Sequence, residues 1–205
     1  MKKINESILA DIRRGIPVIV IDDKSRENEG DIVIAAERAN KENISFCMKH
    51  ARGLMCLPCS GEVLDRLELP PMVAKSTDPN ETPFTVSVDA RDGTTTGMSV
   101  YDRLKTISIF CDDDSKPEEL NRPGHLFPLR AKDGLLKERR GHTEAGVELV
   151  KFAGFKPISV IVEIINDDGT MARYNDLEKF AKQYDLALIT VQDIEDAVYG
   201  SSICN

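Results

Sequence analysis

Tryptophan is absent from this sequence, and aromatic residues make up only 5% of it. That scarcity argues against a nucleic-acid surface on which bases stack against aromatic rings. Lysine and arginine together number 27 against 35 aspartates and glutamates, so the formal net charge is −8. A nucleic-acid binder needs a basic face for phosphate, and this charge argues against that class too. No apolar run approaches the roughly 20 residues of a membrane-spanning helix, so we expect no membrane partner.

Several cofactor and catalytic signatures are also missing. The sequence has no P-loop and no Gly-x-Gly-x-x-Gly segment, which removes the sequence case for ATP or NAD, and it has no Gly-x-Ser-x-Gly elbow. Cys56 and Cys59 form a Cys-x-x-Cys pair, but no second pair or histidines follow at zinc-finger spacing. Buried thiols are therefore favoured over zinc. The five cysteines and the lack of a secretory apolar segment predict reduced thiols in a cytoplasmic protein.

The length predicts a single domain. A chain of 205 residues suits one large core, which we place at 1–205. No repeat, low-complexity tract or Ser/Gly linker divides it. Residues 192–205 carry no motif, and we expect a flexible tail there.

Helical and strand patterns alternate along the chain. β-branched segments at 16–21 and 158–165 are typical of buried strands, and 106–111 is predicted as a further strand. Pro123-Gly124 predicts a turn, and Thr143 is predicted to cap a helix. The predicted class is α/β (α+β) with a mixed sheet.

A charged loop at 22–31 separates two apolar segments. Its carboxylates Glu27, Glu29 and Asp31 alternate, so an extended backbone places them on one side. Such oxygens suit a hard divalent cation such as Mg²⁺. The competing interpretation is a solvated acidic loop, which the charge pattern alone favours.

Cations lie directly before the helix that begins near residue 143. The segment is Lys-Glu-Arg-Arg-Gly-His-Thr over 137–143. Free N–H groups at a helix start favour an anion, and arginine binds phosphate with two hydrogen bonds. The segment therefore indicates a site for a small phosphorylated ligand, with a basic surface turn as the alternative.

Two isolated polar residues are further candidates. His125 follows the Pro-Gly pair, and Glu163 interrupts the apolar run 158–165. A carboxylate in a core is costly unless it is paired, protonated or bound to a ligand. The alternative is that Glu163 faces solvent on a one-sided strand.

Taken together, these segments resemble the 3,4-dihydroxy-2-butanone 4-phosphate synthase family of riboflavin biosynthesis. The resemblance rests on RENEGD at 26–31, RPGHLFPLR at 122–130 and RRGHTEA at 139–145, and it extends from about Asp22 to Arg173. It implies an α/β sandwich, shared with a YrdC-like RNA-modifying family. It also implies a monofunctional carbon–carbon lyase that converts ribulose 5-phosphate to dihydroxybutanone phosphate and formate.

The resemblance further implies Mg²⁺ or Mn²⁺, two ions per site, no organic cofactor, and a homodimer whose subunits share each site. The implied metal ligands are Glu27 and His142. The implied catalytic residues are His125, Glu163 and Glu29. The implied substrate contacts are Arg26, Glu27, Asp31, Thr96, Arg139, Arg140, Gly141, His142, Thr143 and Glu163. Cys56 is expected to line the site.

Two alternatives stay open on the sequence. One is another sugar-phosphate isomerase or aldolase on the same scaffold, which would release no formate. The other is a nucleotide- or RNA-binding module of related fold, which would need a basic groove and would give the acidic loop and His125 no role.

Overall fold

Seven strands form one mixed sheet in the computed structural model, which describes residues 4–200. The strands are β1 (Val18–Ile21), β2 (Gly30–Ala35), β3 (Cys56–Cys59), β4 (Val88–Ala90), β5 (Leu120–Arg130), β6 (Ser159–Glu163) and β7 (Ala187–Thr190). Their order is β4-β5-β3-β6-β2-β1-β7. The pairs β1–β7 and β3–β5 are parallel, and the remaining neighbours are antiparallel.

Helices cover both faces of this sheet. They are α1 (Glu6–Arg14), α2 (Lys41–Phe46), α3 (Gly61–Arg66), α4 (Val100–Cys111), α5 (His142–Phe152), α6 (Tyr174–Tyr184) and α7 (Val191–Tyr199). Apolar side chains of α1, α5 and α7 pack on one face, and those of α2, α3, α4 and α6 on the other. Strand β1 serves both cores, since Val18 and Val20 face the first layer while Ile19 and Ile21 face the second. The predicted α/β sandwich with a mixed sheet is confirmed.

No helix within residues 4–200 has both the length and the apolar character needed to cross a membrane.

The strand predicted at 106–111 is wrong, because these residues end helix α4. The Ser99 side chain caps the helix by accepting a hydrogen bond from the Asp102 N–H. Ile107 and Phe110, three residues apart, are both buried against the sheet. Burial at helical spacing therefore overrides the β-propensity of a Thr-Ile-Ser-Ile-Phe run.

Two predicted boundaries also move. Pro123-Gly124 lies inside β5 rather than in a turn. The N-cap of α5 is Gly141, so Thr143 stands in the first turn of the helix instead of capping it.

The flexible tail predicted from residue 192 is wrong over Val191–Tyr199, which form α7. Thr190 and Asp193 make a reciprocal capping box at its start. Ile194 is buried, and the Tyr199 hydroxyl donates to Glu148 at 2.6 Å. Residues 201–205, and Cys204 with them, lie outside the described range.

Candidate active site

The loop between β1 and β2 is wound around the buried carboxylate of Asp22. Its Oδ2 accepts from the Glu27 N–H at 3.0 Å and from Arg26 Nη1 at 3.0 Å, while Oδ1 accepts from the Glu29 N–H at 2.9 Å. These bonds replace the loop's missing sheet partners and fix the directions of the carboxylates that follow. Sequence reasoning missed Asp22. The available signal was its place as the first carboxylate after a buried strand.

Arg173 holds the same loop from the other side. Its Nη1 donates to the carbonyl oxygens of Glu27 at 2.6 Å and Asn28 at 2.8 Å, and it lies 3.6 Å from Glu29 Oε1. The loop is therefore fixed at both ends, although it contains almost no apolar side chain.

Asp31 and Glu163 lie directly opposite each other on the antiparallel strands β2 and β6. By strand alternation with their buried neighbours Val33 and Ile161, both side chains face the α5 layer. Burial raises the pKa of Asp31 to about 7 and raises the pKa of Glu163 above its usual value. Like charges opposed on neighbouring strands are unfavourable, so this pair needs a proton or a cation.

His142, the first residue of α5, completes the acidic cluster. Its Nδ1 lies 3.5 Å from Glu27 Oε2 and 3.9 Å from Asp31 Oδ1. Burial lowers the pKa of His142, but Asp31 and Glu27 outweigh it and raise the pKa to about 9. The nearby His142 ring and the Arg26 guanidinium lower the pKa of Glu27.

These groups line a cavity of about 280 Å³. It brings together nine predicted site residues, namely Arg26, Glu27, Glu29, Asp31, Cys56, Arg139, His142, Thr143 and Glu163. The opposite wall comes from Asp78, Asn80 and Thr82, in the proline-rich loop over 70–83. Sequence reasoning missed these three residues, because nothing local to them signals a site.

One end of the cavity is cationic. A Cβ placed on Gly141 would lie 2.3 Å from Arg139 Nη1 and 3.0 Å from Arg26 Nη2, so both guanidinium groups close around this position. Arg139 is held by the buried carboxylate of Glu144 at 2.6 Å and donates to the Asn80 carbonyl at 3.0 Å. Two arginines at the start of α5 fit the anion site predicted for 137–143.

Arg140 points away from this cavity. Its guanidinium donates to Asp23 at 3.3 Å, to Gln192 at 3.0 Å and to Glu195, tying α7 to the start of α5. The geometry gives no support to a substrate contact by this side chain.

His125 and Thr96 are also outside the cavity, and both are exposed. His125 projects from β5 and pairs with Asp89 through Nδ1 at 2.6 Å. Thr96 stands in a turn that Asp102 holds by accepting from the N–H groups of Thr95 at 3.0 Å and Gly97 at 3.1 Å.

The cluster suits a divalent cation. Within residues 4–200, ligand atoms of Asp22, Glu27 and His142 lie within 4.8 Å of one another. Asp31 Oδ1, His142 Nε2 and Glu163 Oε2 are buried and have no hydrogen-bond partner among the described residues, which is unusual for buried polar atoms. Asp22 is engaged by the loop backbone, and Glu27 pairs with Arg26 at 2.6 Å. The carboxylate oxygens of the cluster and the ring nitrogen of His142 are ligand types that suit Mg²⁺ or Mn²⁺.

Residues 6–197 match the sequence model of 3,4-dihydroxy-2-butanone 4-phosphate synthase. The chain belongs to this family. The Agrobacterium fabrum 3,4-dihydroxy-2-butanone 4-phosphate synthase is 48% identical over 201 residues, covering 98% of this chain and 94% of that protein. The riboflavin biosynthesis protein RibBA of Endomicrobium trichonymphae is 53% identical over 184 residues, covering 90% of this chain. The chain spans 46% of the length of that relative, and about half of most other curated relatives of this kind.

Solved structures of family members share the fold. A crystal structure of 3,4-dihydroxy-2-butanone 4-phosphate synthase in complex with two magnesium ions matches with a TM-score of 0.91 and 40% identity, covering 96% of this chain and 97% of that one. The Candida albicans synthase matches with a TM-score of 0.86 and 41% identity, covering 94% and 96%.

Proposed function

We propose that this chain converts D-ribulose 5-phosphate to L-3,4-dihydroxy-2-butanone 4-phosphate and formate, in riboflavin biosynthesis, with Mg²⁺ or Mn²⁺. The proposal is carried by buried ligand atoms of Asp31, His142 and Glu163 that have no hydrogen-bond partner among residues 4–200. They lie beside two arginines in one cavity. A divalent cation would bind the buried ligand atoms, and a phosphate would bind the two arginines. The names of the curated relatives support the same reaction.

In this proposal, different residues along the cavity bind the phosphate, bind the cation and transfer protons. Arg26 and Arg139 hold the phosphate end, so that remote binding energy positions the reacting carbons. Glu27 and His142 hold the cation, which when bound supplies charge stabilisation for a carbonyl oxygen. Proton removal next to a carbonyl needs a group that titrates near neutrality, and burial, which raises the pKa of Asp31 to about 7, suits Asp31 to that task. Burial raises the pKa of the facing Glu163 as well. Glu29, whose pKa burial also raises, lies in the same wall.

Formate release tests the proposal. We expect formate from ribulose 5-phosphate with Mg²⁺ and none after EDTA, with activity restored by Mg²⁺ or Mn²⁺ in excess. Consumption of the sugar phosphate without formate would instead favour the isomerase or aldolase alternative. Isothermal titration of the protein with Mn²⁺ would give the number of ions per site, for which we propose two.

We propose a homodimer with shared sites, since His125 and Thr96 are exposed and lie outside the cavity of their own chain. Two inactive variants, Glu27→Ala and His125→Ala, provide the test. Co-expression should restore part of the activity, because a mixed dimer has one site with both residues intact. A monomer in solution, or no restoration from a mixed dimer, would contradict sharing.

The domain assignment and location remain proposals. A single functional domain over 1–205 is supported by the parallel pairing of β1 with β7, which joins the two ends of the described chain in one sheet. The cytoplasmic location stays a prediction from the sequence.

A further inference from the structure

Both carboxylate oxygens of Asp89 bond to one residue, His125. Oδ1 accepts from the His125 backbone N–H at 2.9 Å, and Oδ2 lies 2.6 Å from the ring Nδ1. The Asp89 side chain is only 12% exposed, whereas that of His125 is 45% exposed. A buried acceptor therefore fixes one side of a ring whose other side is open. Two bonds from one carboxylate set both the main-chain position and the ring orientation.

The surrounding turn is shaped to leave room for this carboxylate. A Cβ on Gly97 would lie 2.1 Å from Asp89 Oδ2, and the φ angle of Gly97 is +84°, so a side chain is excluded on both grounds. Asp102 holds this turn in place through the Thr95 and Gly97 N–H groups. The Asp89–His125 pair is thus supported from a second element.

We propose that Asp89 is a positioning residue that fixes His125 with its proton on Nδ1, so that Nε2 is left as the proton acceptor. The inference rests on the proposed function and adds to it an acid–base role for His125, a residue that the resemblance implies to be catalytic. In this role Asp89 acts through His125, to which both of its carboxylate oxygens bond. It would act by selecting the tautomer and the ring orientation, as a carboxylate paired with a histidine does in hydrolases.

The tautomer can be measured without substrate or metal. The chain has three histidines, so protein labelled with ¹⁵N-histidine gives three pairs of ring signals, and His125→Asn assigns one pair. At a pH where the His125 ring is neutral, we expect the proton on Nδ1 in the full-length protein. Asp89→Asn should move it to Nε2, because the amide NH₂ donates to Nδ1. A proton on Nε2 in the unsubstituted protein would overturn the proposal.

Kinetics then separate positioning from a merely structural role. For Asp89→Asn we expect kcat to fall by about 10²–10⁴-fold, the usual range for loss of acid–base assistance, with KM unchanged. Mn²⁺ affinity should also be unchanged, since the cation ligands lie elsewhere. The matched control is Asp92→Asn, an exposed aspartate three residues away that pairs only with Arg91. A lowered melting temperature with unchanged kcat and no movement of the His125 ring proton would overturn the proposal.

Gly97→Ala supplies a second variant if Asp89→Asn folds poorly. It keeps both members of the pair and displaces the carboxylate, so we expect a smaller loss of kcat together with broadened or mixed His125 ring signals. Unperturbed ring signals would refute the supporting role of Gly97.

The outcomes for the tautomer and for formate release are distinguishable. If the expected tautomer shift occurs in Asp89→Asn and formate release is unaffected, Asp89 does orient the His125 ring, but the proposed acid–base role of His125 fails. If the unsubstituted protein releases no formate, the proposed reaction fails while the tautomer result stands alone.

Discussion

Two polar loops in this molecule are wound around a buried aspartate, and they differ in what they leave unpaired. In the loop 22–31, Asp22 accepts from two backbone N–H groups and from Arg26. In the turn 94–97, Asp102 accepts from two backbone N–H groups and from the Thr95 hydroxyl. The construction is the same, since a carboxylate replaces the partners that a loop backbone lacks.

The difference lies next to each loop. Beside the first, Asp31, His142 and Glu163 keep buried atoms without partners among residues 4–200. Beside the second, Asp89 and His125 satisfy each other at 2.6 Å. Buried polar atoms are normally paired, so the first region has bonding capacity that the proposed cation would fill, whereas the second holds one exposed side chain in place. The two regions therefore carry separate parts of the proposed chemistry.

The largest expected effect comes from removing a cation ligand in the first region. Glu27→Ala or His142→Ala should abolish formate release and Mn²⁺ binding, measured by coupled assay and titration calorimetry. Neither should unfold the protein, since neither side chain belongs to the apolar clusters that form the two cores. Glu62→Ala, at an exposed helical site, is the control. If both variants kept Mg²⁺-dependent turnover, Glu27 and His142 would not be the cation ligands. The proposed difference between the two regions would then fail.

The next largest effect is expected at Arg139, where substrate binding and fold stability can be measured separately. Arg139→Ala should raise KM for the phosphorylated substrate. It should also destabilise the fold by about 3–5 kcal/mol, because the buried Glu144 carboxylate loses its cation. The double variant Arg139→Ala with Glu144→Gln should recover most of the melting temperature but not KM. Recovery of KM as well would show that Arg139 acts only through Glu144.

A pH series tests the second region. The N–H of Thr95 holds the pKa of Asp102 at about 2, below its usual value. A lowered native pKa stabilises the fold above the unfolded value of about 4, and that stabilisation is lost as pH falls toward 2. Asp102→Asn should therefore lower the urea midpoint at pH 7, and the gap from the unsubstituted protein should shrink between pH 4 and 2. A gap independent of pH would contradict the assigned role of the charge.

The smallest effect is expected at Arg140. Its partners are partly exposed, so Arg140→Ala should cost about 1 kcal/mol or less in unfolding free energy and leave KM unchanged. Hydrogen exchange should rise in α7, which this arginine ties to the start of α5. A tenfold rise in KM would instead indicate that Arg140 contacts the substrate.

Much of the first region was predictable, because its signals are local. Crowded carboxylates at 22–31 and cations before a helix start point to a cation and an anion from residue chemistry alone. Asp31 and Glu163 could be suspected separately, but their pairing depends on the β2–β6 register, which is set by contacts 132 positions apart in the chain.

The second region was less predictable. Residues 106–111 have strand propensity, and only burial at helical spacing along α4 decides their structure. His125 was identified, but its partner Asp89 lies 36 residues away and was not. Nor does any pattern indicate that His125 lies outside the cavity, because its position is a property of the assembled sheet.

The hydrogen bonds from Arg173 to the loop 22–31 affect when this loop can reach its final shape during synthesis. The loop is made early, yet the side chain that binds its Glu27 and Asn28 carbonyls is added about 145 residues later. A nascent chain cannot hold this loop in its final shape until Arg173 has emerged from the ribosome. The proposed cation site is therefore complete only after Arg173 has been added.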